Sequence, residues 1–403
     1  MAKISLERFG WAGCWADVSN MEHLPTWRHL NILRAPEKYG TRILRFPYDM
    51  LKDASGVEFM PAIQFGNKIA EGTYGAVYQA QRATYRREAY SEAQRQLQRI
   101  GDFQDIVSKT NTIEITPAER RAPHNERERI WRDEIHAVLF EATLHAMVYS
   151  TLKRHGHGHA APVLYDVFGT ADVKHPTSPL QISQVHIQME LVEGTTLHDY
   201  LRTHFPTATD AKQLAANDAL LLDVLIQLAF YMDILQTDLH FNHRDLKVNN
   251  VLRRGPAKRQ ALQHAALVEP WTCTHDLVII DFGFSCIACS DEDVKSRIQA
   301  GSWFRADHDC LKRGRDMALF IFCLNAFYPL KERITGGLWD ILCAVMVPNT
   351  NTNTNTGSLL HTGINGNMQF DAEIYRFLRA DGRDVPDCAP RALMKKLSAF
   401  KFL

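Results

Sequence analysis

Apolar residues along this chain fall into blocks whose period changes from one block to the next. Between Leu220 and Leu239, Leu, Ile, Phe and Tyr cover more than one face, which predicts a largely buried helix. Arg127 to Arg154 carries Ile130, Ile135, Val138, Leu139, Ala142, Leu144, Met147, Val148 and Leu152 at helical spacing. Pro162 to Phe168, Val185 to Val192 and Leu277 to Ile280 predict short strands. Phe65 to Ala80 sets apolar residues on both sides of a glycine-containing turn, as a hairpin does. Arg82 to Arg99 is charged and helix-compatible, and 111 to 126, with Pro117 and Pro123, predicts a loop. Arg315-Asp316-Met317-Ala318-Leu319 opens a further apolar helix. Beyond Leu330 the chain is helical in character, and Ala389 to Leu403 predicts a short docking helix. The Asn-Thr repeat near 349–357 has nothing to bury and predicts an exposed loop. His155-Gly156-His157-Gly158-His159 reads as a flexible turn in preference to a metal site.

Composition narrows the class. The chain has 403 residues, 45% hydrophobic and 23% charged, enough for a sizeable core. Lys+Arg and Asp+Glu both number 46, so the balance gives no bulk attraction to nucleic acid or to an anionic membrane. Met1 to Gly10 holds no apolar run of the secretory type. The apolar run Met317 to Phe327 falls short of the about 20 residues a membrane span needs. The 8 cysteines follow no disulfide-scaffold pattern and read as reduced thiols, which places the chain in the cytoplasm or nucleus.

The candidate chemistry lies in Asn242-His243-Arg244-Asp245-Leu246-Lys247-Val248-Asn249-Asn250-Val251-Leu252. Polar groups so close to a buried helix need partners or a task. This stretch resembles the catalytic loop of eukaryotic-type protein kinases, H-R-D-L-x-x-x-N, at every defined position. Asp281-Phe282-Gly283, at the end of the Leu277 to Ile280 run, resembles the magnesium-binding D-F-G. Phe65 to Ala80 resembles the glycine-rich loop over the ATP phosphates. Gly72, Gly75 and Val77 match G-x-G-x-x-G-x-V, while Ala70 replaces its first glycine. Ile106-Val107-Ser108-Lys109 resembles V-A-I-K, and Phe140-Glu141-Ala142-Thr143-Leu144 resembles the helix whose glutamate pairs with that lysine. Glu134 is the runner-up for that glutamate.

The resemblance implies an α+β, bilobal protein kinase-like fold with a small β-rich N-lobe and a larger, mainly helical C-lobe. Residues 1–58 would be an N-terminal extension, 59–192 the N-lobe with an insertion near 82–104, and 193–403 the C-lobe. The cofactors implied are ATP and Mg²⁺, and the partner a protein substrate phosphorylated on Ser or Thr. Asp245 would take or orient the hydroxyl proton, and Lys247 would neutralise the γ-phosphate. Asn250 and Asp281 would hold Mg²⁺. Lys109, braced by Glu141, would grip the α and β phosphates beneath Ala70, Gly72, Gly75 and Val77. Met189, Glu190 and Val192 would line the adenine site. Asp316 would hold the backbone of the catalytic loop. Arg244 leaves open a phosphorylated activation segment, with Ser285, Ser290, Ser296 and Ser302 as candidates. No Ala-Pro-Glu follows. Its absence keeps open a kinase-fold enzyme acting on small molecules, and Ala70 keeps open an inactive binding module. Cys286, Cys289, His308 and Cys310 form a zinc alternative to simple reduced thiols.

Overall fold

A computed structural model describes residues 43–45, 51–52, 58–72, 75–87, 97–113, 121–171, 182–255, 261–287, 312–347, 358–362 and 384–400. Within these, helix and sheet are both present, and the chain divides into two compact units. The first contains 16–146 and 163–191, and the second contains 147–162 and 192–403. The N-terminal extension lies outside the described residues apart from two short strands, and the Asn-Thr repeat lies wholly outside them.

The first unit is built on an antiparallel sheet. Strands β1 (Ile43–Arg45) and β2 (Leu51–Lys52) both pair with β3 (Glu58–Gly72). Next come β4 (Gly75–Arg87), β5 (Leu97–Thr112), β6 (Leu164–Ala171) and β7 (Ile182–Glu190), in the order β1-β3-β4-β5-β7-β6. The stretch expected to be helix-compatible, Arg82 to Arg99, is instead strand at both ends. Strand β4 runs on to Arg87 and β5 begins at Leu97, with Arg87 opposite Leu97. Cross-strand pairing, which single-residue propensity does not register, decides this segment. In β5, Ile106, Val107, Ser108, Thr110 and Asn111 are all buried, as befits a central strand covered on both faces.

Helix α1 (His124–Arg154) begins three residues before the periodic pattern suggested. Its buried positions include Val138, Glu141, Ala142, His145, Val148 and Leu152, a stripe at i, i+3/i+4, i+7 spacing. A glutamate on that stripe points into the core, where it requires a partner.

The second unit starts with the last turns of α1. The histidine-glycine run behind them is packed, which corrects the flexible-turn reading. His155 Nε2 lies 2.8 Å from Asp238 Oδ2. His157 is buried edge-on to Phe230, and His159 Nε2 lies 3.1 Å from the Tyr231 hydroxyl. A carboxylate, a hydroxyl and an aromatic ring on the neighbouring helix, distant in sequence, hold these imidazoles. Strand β8 (Gly194–Thr196) leads into α2 (Leu197–His204), whose N-cap Thr196 accepts from Asp199 N. Helix α3 (Ala211–Leu239) is capped by Asp210 and is buried almost continuously from Leu220 to Leu235. It ends at His240 in the left-handed conformation (φ 48°).

Strand β9 (Phe241–Asn242), the loop 243–250, and β10 (Val251–Arg254) follow. Then come the small pair β11 (Ala261–Leu262) and β12 (Trp271–Thr272), β13 (Leu277–Ile279) and β14 (Cys286–Ile287). Strand β10 sits between β13 and β8, and β14 pairs with β9. Helices α4 (Arg315–Phe327), α5 (Gly336–Val345), α6 (Leu359–Thr362) and α7 (Pro390–Ser398) complete the described part. Helix α7 packs on α3, with Arg391 Nε 3.0 Å from both oxygens of Asp233. Among the described residues, no helix is long and apolar enough to cross a membrane.

Candidate active site

The loop after α3 is organised by one buried carboxylate. Asp316, in the first turn of α4, accepts from His243 N (3.0 Å), Arg244 N (2.8 Å) and Asn242 Nδ2 (2.9 Å). Asn242 also ties down the approach to α4, since its Oδ1 accepts from Lys312 N at 2.6 Å. Gly314, at the N-cap of α4, has φ 73°, and a Cβ there would lie 1.9 Å from the Val385 carbonyl oxygen. Only glycine fits that turn, and the turn aims Asp316 at the loop.

Asp245 is 2% exposed. Asn250 Nδ2 donates to its main-chain oxygen at 2.9 Å and to its Oδ2 at 3.0 Å. Lys247 Nζ lies 3.2 and 3.0 Å from its two carboxylate oxygens, with the lysine side chain 28% exposed. An acidic side chain is thereby held in one orientation by an amide and an ammonium from its own loop. The loop is joined to the segment carrying Asp281 by Ile280 N donating to Asn250 O at 3.0 Å, beside the β10–β13 ladder. His243 Nε2 lies 3.0 Å from Ile280 O, and its ring packs 5.5 Å from that of Phe282.

Among the described residues, three non-glycine residues have positive φ, and all three sit here: His240 (48°), Arg244 (63°) and Asp281 (65°). Such conformations cost free energy and gather where a site over-determines the backbone. Arg244 is buried, and burial pushes its pKa down to about 10. Nearby Arg315 acts in the same sense and Asp316 opposes both.

Asn250 and Asp281 are the residues that would hold a metal. With the Asn250 nitrogen committed to Asp245, its oxygen is the end suited to a cation. One amide oxygen and one carboxylate form a hard-oxygen donor set of the kind Mg²⁺ takes together with phosphate oxygens and water. Among the described residues, no group of three or more His, Cys, Asp or Glu is placed to hold a metal ion.

In the first unit, Lys109 Nζ contacts Glu141 Oε1 at 2.6 Å, with side-chain exposures of 16% and 6%. Glu134, on the same helix, is partly exposed. Strand register places Ala70 opposite Val77, Val77 opposite Lys109, and Gly72 opposite Gly75 at the hairpin end. A Cβ on Gly75 would lie 2.4 Å from the Thr110 carbonyl oxygen. Met189 pairs with Val107 and so shares the sheet face of Lys109. Glu190 pairs with Ile106, on the opposite face, and its N–H donates to Val163 O at 2.9 Å. Val192 is buried and belongs to the second unit.

The sequence reading gave Asn242 and Arg315 no role of their own, because Asn242 acts on Asp316 and Lys312, and Arg315 on Arg244, across distances that carry no local signature. It also read the cysteines as reduced thiols, with zinc as the alternative at Cys286, Cys289 and Cys310. Cys273, Cys323, Cys343 and Cys388 are free thiols, but Cys286 is disulfide-bonded. Spacing along the chain could not reveal that, because disulfide formation depends on how closely folding brings two sulfurs together. Cys289, His308 and Cys310 of the zinc alternative lie outside the described residues, as do Ser290, Ser296 and Ser302. Ser285 is buried, and its hydroxyl donates to His243 O at 3.4 Å.

No protein-family model matches the sequence, and no curated protein matches it. Among solved structures, the chain is similar to the autoinhibited serine kinase domain of the giant muscle protein titin. Identity is 10%, coverage 56% of this chain and 46% of that one, and the TM-score 0.32. The chain therefore spans less than half of that matched chain.

Proposed function

We propose that this chain is an ATP-dependent protein kinase of bilobal fold that transfers the γ-phosphate of Mg-ATP to Ser or Thr hydroxyls of protein substrates. The observation that carries the reading is the Asp245 loop. A buried carboxylate is oriented by Lys247 and Asn250, and the loop's backbone is fixed by Asp316. Phosphoryl transfer asks a protein chiefly for positioning and charge neutralisation. Asp245 receives the proton of the attacking hydroxyl. Lys247, beside it and partly exposed, balances charge on the transferring group. Asn250 and Asp281 would hold Mg²⁺, which would supply positive charge to offset that of the phosphates. Lys109, fixed by Glu141, binds the α and β phosphates, with the Gly72–Gly75 hairpin end beside it in the same sheet.

The test is transfer from labelled ATP and Mg²⁺ to a basic protein, with Asp281→Asn as control. The expected result is phosphoserine or phosphothreonine that disappears in the control. Transfer to small hydroxylated metabolites alone would move the reading to a small-molecule phosphotransferase. Nucleotide binding with no transfer to any acceptor would leave a binding module.

A further inference from the structure

A second chain of reactive groups lies in the second unit, in residues that the proposed transfer does not use. Asp223, on α3, is 2% exposed. It accepts from Trp271 Nε1 (3.0 Å), Thr274 N (3.0 Å) and Thr274 Oγ1 (2.6 Å), and lies 2.7 Å from His275 Nδ1. Burial drives this carboxyl upward, but the hydrogen bonds from His275, Thr274 and Trp271 outweigh it and hold it below its ordinary value.

The proton inventory fixes the tautomer. Thr274 spends its hydroxyl proton on Asp223, so the neighbouring Nδ1 of His275, 2.8 Å from Thr274 Oγ1, must itself be the donor to Asp223. The neutral ring then has its lone pair on Nε2, which lies 3.1 Å from the Tyr200 hydroxyl. Tyr200 is the donor of that bond. The phenol is partly exposed, and the His204 ring stacks on it at 4.1 Å. The Arg253 guanidinium lies 4.3 Å from the ring centroid. Arg253 Nε is buried with no hydrogen-bond partner among the described residues.

A carboxylate that orients an imidazole, which in turn accepts from a hydroxyl, is the arrangement that activates a weak nucleophile. An adjacent guanidinium stabilises both a developing phenolate and the tetrahedral anion of a phosphate ester. We infer that Tyr200 is an activated acceptor hydroxyl for phosphoryl-type electrophiles, a tyrosine modification site separate from the Asp245 loop. In the step, the bond from phosphorus to its leaving group breaks as the Tyr200 oxygen–phosphorus bond forms. The phenolic proton passes to His275 Nε2, and the imidazolium is held by Asp223. The product phosphate ester would then take the unused Arg253 Nε–H.

The probe is diisopropyl fluorophosphate, from which fluoride leaves. The full chain is labelled in EDTA without nucleotide, so the outcome is independent of any kinase activity. Among the 12 tyrosines of one wild-type molecule, peptide mapping is expected to place the tyrosine adduct on Tyr200. Tyr200→Phe should abolish it, and His275→Gln should slow it by about a hundredfold, the scale of general-base assistance. Arg253→Gln provides a second variant with Asp223 and His275 intact, and it too should slow labelling. Label spread over the tyrosines without preference for Tyr200 would overturn the inference. So would a Tyr200 rate unchanged in folded His275→Gln or Arg253→Gln protein.

Discussion

Lys109 reaches Glu141 across 32 residues of sequence to make a 2.6 Å ion pair that is nine-tenths buried at the glutamate. The pair joins the central strand of the sheet to the apolar stripe of α1. Removing one member of such a buried pair leaves a charge without its partner and typically costs about 3 kcal/mol or more. Glu141→Ala and Lys109→Met are therefore both expected to lower the urea midpoint. Under the kinase reading, Glu141→Asp, with its shorter reach, should keep most of the stability but weaken binding of a fluorescent ATP analogue. Unchanged analogue affinity in Lys109→Met would remove Lys109 from the nucleotide site.

Asp281 combines a proposed metal-binding carboxylate with φ 65°. Asn tolerates that backbone and Ala does so less readily, by about 1 kcal/mol. Asp281→Asn should thus melt with the wild type and lose Mg²⁺-dependent transfer, while Asp281→Ala should lose transfer and stability together. Equal stability of the two variants, measured by urea unfolding, would contradict the strain argument.

Asp316 satisfies three buried donors at once, from Asn242, His243 and Arg244. Leaving buried donors without an acceptor costs about 1–3 kcal/mol each. Asp316→Ala should therefore be severely destabilising, or should free the 242–245 backbone to exchange amide protons with solvent. Hydrogen exchange at His243 and Arg244 is the direct readout, and protection equal to the wild type would refute the assignment.

His186, in the first unit, is buried, and burial pushes its pKa down from 6.5 to about 3. The unfolded chain therefore binds a proton that the folded chain refuses between those values. The stability involved is fully present above pH 6.5 and is lost as pH falls towards 3, amounting to a few kcal/mol over the whole interval. His186→Phe should flatten that part of the acid limb relative to wild type when midpoints are compared from pH 7 to pH 4. Parallel curves would show that the His186 ring escapes burial or titrates normally.

The sequence determined the local parts of this protein. It marked the buried helix before the loop, the strand before Asp281 and the glycines of the β3–β4 hairpin, because periodicity and turn chemistry act over a few residues; Glu141 came from the resemblance of its helix segment. It also supplied the residue types of the Asp245 loop in order. Tertiary structure alone decided which donors Asp316 satisfies, that Asn242 reaches Lys312, and that Arg315 lies close enough to Arg244 to lower its pKa. It alone turned Arg82 to Arg87 into strand, seated the histidine run on Phe230 and Tyr231, and aligned Asp223, His275 and Tyr200. Each of these depends on groups brought together from distant parts of the chain. Their hydrogen bonds are set by distance in space, which no period along the sequence encodes.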